Sequence, residues 1–313
     1  MENIAIIGTG LIGRGWAMVF ARAGHRVALY DADPKALKTN LAVIRGALKD
    51  ARAAGIVKEA PERIFRRIRA ATSLEDALAG ADYAQENISE TLAAKKKIFA
   101  AMDKAAGPKT ILASSTSTIP ASAFTKSLAG RGRCLVAHPV NPPHLVPLVE
   151  LCPAPWTSKQ VLARARALHE SVGQVPITVK KEIQGFILNR LQAAVLNAAF
   201  SLYAEGYASA SDIDKTIRDG LGLRWSFMGP FETIDLNAPG GVADYAARYG
   251  RVMYEQARTQ PARPWKKAVV ARIARERRAQ LPADKLAARQ AWRDRRLMAL
   301  VAHKRDAAKK IRP

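Results

Sequence analysis

The stretch NIAIIGTGLIG, residues 3–13, joins a short, mainly apolar run to a glycine-rich turn. Residues 3–7 predict a strand, and WAMVFA at residues 16–21 has helical spacing after the turn. A second apolar run, RVALY at residues 26–30, is followed by Asp31. Strand, turn, helix and strand within about 30 residues predict a parallel β-α-β unit.

The same alternation of apolar runs and helical patterns continues along the chain. Pro34 marks a helix start, residues 36–54 are basic and amphipathic, and short apolar runs recur at residues 111–113 and 134–137. We therefore predict an α/β protein: a Rossmann-type doubly wound parallel sheet followed by a C-terminal all-α domain. Strand signals nearly vanish after residue 180, where a long helical pattern begins, so the predicted domains are 1–183 and 184–313.

The glycines fit Gly-x-Gly-x-x-Gly between a predicted strand and a predicted helix, which is the context that gives this motif meaning. Gly8 permits the tight turn, Gly10 lets the backbone approach a pyrophosphate, and Gly13 allows helix and sheet to pack closely. Asp31, 18 residues after Gly13, would accept hydrogen bonds from ribose hydroxyls and repel a 2′-phosphate. The predicted cofactor is therefore NAD rather than NADP. The predicted binding residues in this unit are Gly8, Gly10, Leu11, Ile12, Gly13 and Asp31.

The composition is globular and excludes several classes of function. Of the 313 residues 49% are hydrophobic, yet no apolar run approaches the roughly 20 residues of a membrane-spanning helix. The N-terminus lacks the pattern of a secretory signal, and Cys134 and Cys152 are the only cysteines, so we expect a cytoplasmic protein without a membrane partner. The five histidines show no metal-ligand spacing, and we predict no metal site.

The chain is strongly basic, with 50 Lys and Arg against 27 Asp and Glu and a formal net charge of +23. Residues 251–313 hold 19 Lys and Arg but five Asp and Glu, so one fifth of the chain carries most of the excess. Trp292, Leu297 and Leu300 recur there at helical spacing, which predicts basic amphipathic helices packed on the protein body. No zinc-finger or helix-turn-helix pattern is present, so we expect no nucleic-acid partner; a salt-titrated DNA-binding assay would reveal one.

Four further motifs carry a family resemblance: SSTSTI at residues 114–119, VAHPVNPP at 136–143, PLVEL at 147–151 and GFILNRL at 185–191. In this order and at these separations they resemble the 3-hydroxyacyl-CoA dehydrogenase superfamily. Within it the chain is similar to the lambda-crystallin branch nearly end to end, including GLRW at 222–225, GPFET at 229–233 and LAARQAWRD at 286–294. A Rossmann domain, a helical second domain and an alcohol dehydrogenase activity are what the resemblance implies.

The resemblance also implies catalytic roles, and oxidation of a secondary alcohol independently needs these residue types. His138 is the predicted general base because imidazole titrates near neutral pH, and Glu150, 12 residues later, would orient its ring. Ser117 and Asn189 resemble the polar pair that hydrogen-bonds the reacting oxygen. Two more residues, Glu90 and Lys95, match positions near the cofactor in the family; an exposed helix pair is the alternative for them.

Arg224 lies where acyl-CoA members of the family have small or aromatic residues. A guanidinium can bind a carboxylate through two hydrogen bonds, so we predict a small-molecule carboxylate substrate bound by Arg224. The resemblance implies a 3-hydroxy acid, with L-gulonate oxidised to 3-dehydro-L-gulonate as the leading hypothesis and a homodimer as the assembly. L-3-hydroxyacyl-CoA and carnitine are the alternative substrates, and a non-catalytic, crystallin-like structural role is the alternative to an enzyme.

Overall fold

A computed structural model of the chain describes residues 1–260 and 262–311. It divides into two units, one formed by Met1–Asn189 with the chain from Arg293 onward and the other by Arg190–Trp292. The predicted domains 1–183 and 184–313 differ from these units in two ways: the first unit continues to Asn189, and it includes the helical segment that begins at Arg293. Positions 261, 312 and 313 of the predicted second domain lie outside the described residues.

An eight-stranded sheet forms the first unit, in the order β3-β2-β1-β4-β5-β6-β7-β8. Its strands are β1 Asn3–Ile7, β2 Arg26–Tyr30, β3 Ile68–Ala70, β4 Tyr83–Glu86, β5 Ile111–Ser114, β6 Cys134–Pro139, β7 Leu148–Pro153 and β8 Val175–Thr178. Neighbouring strands are parallel except β6 and β7, which are antiparallel. The Rossmann-type doubly wound architecture is confirmed, with the correction that the sheet is mostly rather than wholly parallel.

Helices cover both faces of this sheet, because its central strands are apolar on both sides. Ile4 and Ile6 of β1 pack with Trp16 and Phe20 on one face, whereas Ile7 belongs to the core of the other face. The helices of this unit are α1 Leu11–Arg22, α2 Pro34–Ala53, α3 Pro61–Phe65, α4 Leu74–Leu78, α5 Leu92–Ala105, α6 Ser122–Thr125 and α7 Lys159–Ser171. A short 3-10 turn spans Arg131–Arg133.

Regular structure beyond β8 is helical as far as the structure describes the chain, which confirms the predicted all-α region. Its helices are α8 Leu188–Ala204, α9 Ala210–Lys215, α10 Gly222–Trp225, α11 Pro230–Asp235, α12 Gly241–Thr259, α13 Lys267–Gln280 and α14 Leu286–Lys310. A π-helical segment, Thr216–Leu221, joins α9 to α10, and a 3-10 turn, Ala283–Lys285, precedes α14. Helix α12 is amphipathic but has no buried residue.

Helix α14 belongs to both units, which explains why the units differ from the predicted domains. Met298 is buried in the core of the first unit, and Leu297, Val301 and Ala302 pack against that core. These residues lie on one helical face, so this part of the basic tail packs on the protein body. Of the three residues that predicted this packing, Leu297 contacts the core, whereas Trp292 and Leu300 are 41% and 44% exposed.

Candidate active site

The glycine-rich turn has no room for side chains at two of its three glycines. A Cβ at Gly13 would lie 1.9 Å from the carbonyl oxygen of Gly8. Gly8 itself has φ +89, and a Cβ there would lie 2.9 Å from the carbonyl oxygen of Asn87. At Gly10, in contrast, a Cβ would meet no atom within 4 Å. The turn is thus closed on the side of the sheet and open at Gly10, where a pyrophosphate would approach.

The first N–H groups of α1 follow directly after Gly10 and have no side-chain cap. Gly10 precedes the helix and provides no side-chain cap, and the first turn of α1 contains no acidic residue. Uncapped N–H groups at a helix N-terminus bind anions, because the helix dipole adds a partial positive charge there. Leu11, Ile12 and Gly13 form this first turn. The cradle therefore fits the pyrophosphate of a dinucleotide.

Asp31 is placed beside the turn at the end of β2. Its Oδ2 accepts hydrogen bonds from the Thr9 N–H and from Thr9 Oγ1, both at 2.7 Å. Thr9 Oγ1 also accepts one from Asn40 Nδ2 at 3.2 Å. These contacts hold a carboxylate next to the glycines, where the ribose of a bound NAD would present its hydroxyls. Thr9 and Asn40 are residues of the site that the glycine motif alone does not reveal.

The antiparallel pairing of β6 and β7 brings His138 and Glu150 together. They are direct partners in the strand register, and His138 Nδ1 lies 2.8 Å from Glu150 Oε2. Both side chains are buried. Burial alone would raise the pKa of Glu150, but hydrogen bonds from His138 and from the N–H groups of Leu188 and Ile187 outweigh it and keep that pKa below its ordinary value. Glu150 is thus ionised, and His138 donates Nδ1–H to it, so Nε2 is the nitrogen that can take a proton.

Ser117 lies in a loop that Glu90 holds in place. Glu90 Oε1 accepts hydrogen bonds from Thr116 Oγ1 at 2.5 Å, from Ser117 N–H at 2.8 Å and from Thr118 N–H at 3.1 Å. Burial acts to raise the pKa of Glu90, but these bonds and the charge of Lys95 lower it below its ordinary value. Glu90 therefore remains a charged acceptor that fixes the loop after β5.

The Asn189 side chain is hydrogen-bonded to the backbone of the Ser117 loop. Its Nδ2 donates to the Ser117 carbonyl oxygen at 2.8 Å. This bond leaves the Ser117 hydroxyl and the second N–H of Asn189 Nδ2 as the donors of the pair that could meet a substrate oxygen. The structure thus brings together two residues that are 72 positions apart in sequence.

Lys95 is buried rather than displayed toward a ligand. Its side chain is 1% exposed, and Nζ donates to Glu86 Oε1 at 2.8 Å and Oε2 at 3.0 Å. Glu86 also accepts a hydrogen bond from Ser114 Oγ at 2.6 Å. The sequence did not lead us to predict a role for Glu86, although an acidic residue at the end of a buried strand could have indicated one. Lys95 thus forms a buried ion pair with Glu86, and its Nζ lies 3.6 Å from Glu90 Oε2. It is not an exposed helix residue.

A buried polar network connects the glycine turn to the Ser117 loop. Ser115 Oγ accepts hydrogen bonds from Gln85 Nε2 at 2.7 Å and from Trp16 Nε1 at 3.1 Å, and it donates to Asn87 Oδ1 at 2.7 Å. The Asn87 N–H in turn donates to the Ile7 carbonyl oxygen at 2.7 Å, next to Gly8. Sequence reasoning missed these residues, because their polar side chains gain meaning only from partners on other elements.

Arg224 lies in α10 of the second unit, where its side chain is exposed. Among residues 1–260 and 262–311 it forms no ion pair, so a structural salt bridge does not occupy its guanidinium. Within the same described residues, no group of three His, Cys, Asp or Glu could hold a metal ion, and no helix is long and apolar enough to cross a membrane.

Comparison with known proteins gives these residues a context. The protein-family model described as "3-hydroxyacyl-CoA dehydrogenase, NAD binding domain" matches residues 3–183, and "3-hydroxyacyl-CoA dehydrogenase, C-terminal domain" matches residues 185–280. Rabbit (Oryctolagus cuniculus) lambda-crystallin is 41% identical over 309 residues, which cover 97% of each chain. L-carnitine dehydrogenase of Streptomyces griseus is 36% identical over 251 residues, 80% of this chain and 74% of the relative.

A solved structure has the same fold over nearly the whole chain. The NAD+-dependent 5-formyl-3-hydroxy-2-methylpyridine 4-carboxylic acid 5-dehydrogenase superposes with a TM-score of 0.82 at 28% identity, covering 97% of this chain and 98% of that one. The predicted NAD cofactor is thereby confirmed, and it agrees with the open, uncapped cradle at Gly10. The family matches and the relatives confirm an oxidoreductase acting on a hydroxyl with NAD+ as acceptor. The chain therefore belongs to the 3-hydroxyacyl-CoA dehydrogenase family, in which it is most extensively matched, among the relatives named here, by lambda-crystallin.

Proposed function

We propose that the protein oxidises the 3-hydroxyl of a small 3-hydroxy carboxylic acid, with His138 as the general base. The observation that carries this proposal is the 2.8 Å hydrogen bond between His138 Nδ1 and Glu150 Oε2. Because this bond occupies Nδ1, Nε2 is the nitrogen that would accept the hydroxyl proton of the substrate. When bound, NAD supplies the acceptor for the hydride that leaves the substrate carbon.

Each of the other residues of the site has a limited task in this reaction. Glu150 is the positioning residue that fixes the ring of His138 and balances the charge the ring acquires with the hydroxyl proton. The Ser117 hydroxyl and the second N–H of Asn189 Nδ2 would donate hydrogen bonds to the reacting oxygen, so that its own proton is left to point at Nε2. The cofactor side of the site is formed by Gly8, Gly10, Leu11, Ile12, Gly13 and Asp31, with Glu90 and Lys95 supporting the loop beside it.

Arg224 is proposed to bind the carboxylate of the substrate. Its exposed guanidinium, without an ion-pair partner among the described residues, supports this role. Together with the match to lambda-crystallin, it favours L-gulonate, oxidised to 3-dehydro-L-gulonate. Replacing Arg224 by Met should raise KM for a hydroxy acid and leave KM for NAD+ unchanged. The rise should be about tenfold or more, because the variant loses a charge-assisted hydrogen bond to the substrate.

L-carnitine is a second candidate substrate, because exposed aromatic residues flank Arg224. Trp225, Phe227 and Phe231 are 39%, 70% and 77% exposed. Aromatic faces bind quaternary ammonium groups, and a relative of this chain is an L-carnitine dehydrogenase. If carnitine is the substrate, replacing Phe227 or Phe231 by Ala should therefore raise KM for L-carnitine and leave KM for L-gulonate unchanged.

The deciding experiment measures NADH formation with L-gulonate, L-carnitine, L-3-hydroxybutyrate and L-3-hydroxybutyryl-CoA. We expect the highest kcat/KM with L-gulonate, and we expect His138→Gln to lower kcat by about 10²–10⁴-fold while NADH binding persists. A preference for the thioester would overturn the free-acid proposal. Full activity of His138→Gln would overturn the assignment of the base.

We further propose that two copies of the chain form a homodimer through helices of the second unit. Helix α12 has no buried residue, and Tyr249, Val252 and Met253 are 44%, 52% and 50% exposed. Contiguous exposed apolar side chains of this kind mark interfaces. We expect the purified chain to sediment at twice the mass of one copy and the Met253→Glu variant to lose that species. A monomeric wild type would contradict the proposal.

A further inference from the structure

The turn before α8 has an unusual backbone conformation. Gly185 has φ +76, and Phe186, the next residue, has φ +49. Among residues 1–260 and 262–311, Phe186 is the one non-glycine residue with a positive φ. A left-handed backbone costs free energy for a residue with a Cβ, and such strain persists only where the surroundings enforce it.

The two residues after the turn both bind the carboxylate of Glu150. Ile187 N–H donates to Glu150 Oε1 at 2.9 Å, and Leu188 N–H donates to the same oxygen at 3.0 Å. The other oxygen, Oε2, is the partner of His138. The N–H groups at a helix start are ordinarily taken by a side chain of the same turn. Here the acceptor is a carboxylate 37 and 38 residues away in sequence.

The Phe186 side chain contacts the other half of the pair. It is fully buried, and its ring lies 5.5 Å from the ring of His138, measured between centroids, at an interplanar angle of 43°. Because φ of Phe186 is positive, one residue both packs against the imidazole and directs the following N–H groups to the carboxylate. The conformation thus serves both members of the pair at once.

We propose that the left-handed turn at Gly185 and Phe186 is a positioning element that holds Glu150 and His138 in their hydrogen-bonded arrangement. The proposal rests on the proposed function of His138 as the base. Two N–H bonds fix Glu150 Oε1, so that Oε2 can point only at Nδ1, while the Phe186 ring limits rotation of the imidazole. Both N–H groups help to lower the pKa of Glu150 below its ordinary value, which agrees with an ionised acceptor for His138.

The first test compares Gly185→Ala with Gly173→Ala. Gly173 has φ +79, nearly the angle of Gly185, and a Cβ there meets open space, whereas a Cβ at Gly185 would lie 3.6 Å from Asn189 Cβ. Both variants therefore carry the same conformational cost, and their thermal stabilities should fall alike. Only Gly185→Ala should lower kcat, and KM for NAD+ should not change. The expected decrease is about tenfold, because that factor corresponds to the free energy of one hydrogen bond to a charged group. Equal kcat in the two variants would overturn the proposal.

The second test removes a single donor. Leu188 is the first residue of α8, a position that tolerates proline, so Leu188→Pro deletes the N–H bonded to Glu150 while Leu188→Ala keeps it. We expect kcat of the proline variant to be about tenfold or more below that of the alanine variant. Equal rates would contradict the role of the turn even if Gly185→Ala proves unstable.

The third measurement does not depend on activity. A proton shared between His138 Nδ1 and Glu150 gives a low-field proton NMR resonance that His138→Gln lacks. This resonance should be present in wild type, Gly173→Ala and Leu188→Ala, and weakened or lost in Gly185→Ala and Leu188→Pro. If wild type oxidises no hydroxy acid, the proposed function fails, yet the resonance still tests the turn. If the resonance is equally strong in all five proteins, the turn does not position the pair.

Discussion

Mild acid should destabilise the first unit, because His169 is buried where it cannot bind a second proton. His169 Nε2 lies 3.0 Å from the Tyr83 hydroxyl, which donates its own proton to Gln85 Oε1. The hydroxyl must therefore accept from Nε2–H, which leaves Nδ1 of His169 unprotonated. Within the described residues Nδ1 has no hydrogen-bond partner. Burial lowers the pKa of His169 to about 3.

The size of the effect follows from linkage. In the unfolded chain a histidine takes up its proton near pH 6.5, whereas folded His169 stays neutral until about pH 3. Its contribution to stability is therefore complete above pH 6.5 and is lost progressively as the pH falls below that value. At pH 5 the loss is about 2 kcal/mol. His144, whose pKa burial and the Arg22 charge lower to about 4, should lose a similar amount, so about 4 kcal/mol is lost in total.

The assay is urea unfolding at pH 8 and at pH 5. Ordinary carboxyl groups titrate below this range, so the histidines dominate the change in stability. His169→Phe keeps an aromatic ring beside Trp16 and Phe20 but cannot titrate. Its free energy of unfolding should fall by about 2 kcal/mol less between the two pH values than that of wild type. His303→Gln, at an exposed position of α14, is the control and should follow wild type. If His169→Phe loses as much stability as wild type, the buried neutral imidazole is not the cause.

Four further predictions concern the cofactor side of the site. Gly10→Ala should fold with the wild-type melting temperature yet bind NADH more weakly, whereas Gly13→Ala, with its Cβ 1.9 Å from Gly8 O, should lose both stability and binding; fluorescence titration and thermal melts separate the two. Asp31→Ser should raise kcat/KM for NADP+ relative to NAD+ by about tenfold or more, since it removes a charge that repels the 2′-phosphate, and an unchanged ratio would contradict that role. Glu90→Gln should lower kcat by about tenfold by weakening three hydrogen bonds to the Ser117 loop, and equal rates would show that the loop is held otherwise. Lys95→Met should reduce the free energy of unfolding by about 3–5 kcal/mol by leaving Glu86 charged and unpaired, and a smaller loss with a large rise in the NADH dissociation constant would instead make Lys95 a cofactor ligand.

The parts of the fold that sequence predicted are those whose signal is local. The run at residues 3–7, the glycine turn and the run at 26–30 carry their periodicity within themselves, and the structure has β1, α1 and β2 there. The long helical pattern predicted after residue 180 corresponds to α8, which begins at Leu188, after the left-handed turn. Gly185 is a residue typical of a positive φ, but nothing in the sequence pattern marks the positive φ of Phe186.

The strands that sequence missed are short or take their identity from neighbours. Strands β3 and β4 have three and four residues, too few to show a period of two. Strand β4 also contains Gln85 and Glu86, polar residues that are buried because Ser115 and Lys95 pair with them. The antiparallel direction of β7 depends on pairing with β6 and is not encoded in either strand alone. Long-range partners therefore account for most of what could not be predicted.

The candidate site shows the same limit, most clearly in two buried histidines. His138 and His169 are both buried, and in sequence only the family motif around His138 distinguishes them. His138 has the Glu150 carboxylate 2.8 Å from Nδ1, so a proton gained at Nε2 is balanced by a nearby negative charge. His169 has a neutral phenol at Nε2 and, in the described part of the chain, no acceptor at Nδ1, so a second proton there is unfavourable. The difference arises because strand register places a glutamate opposite one imidazole and not the other. A single antiparallel pair in an otherwise parallel sheet thus distinguishes a proposed base from a structural side chain of the same type.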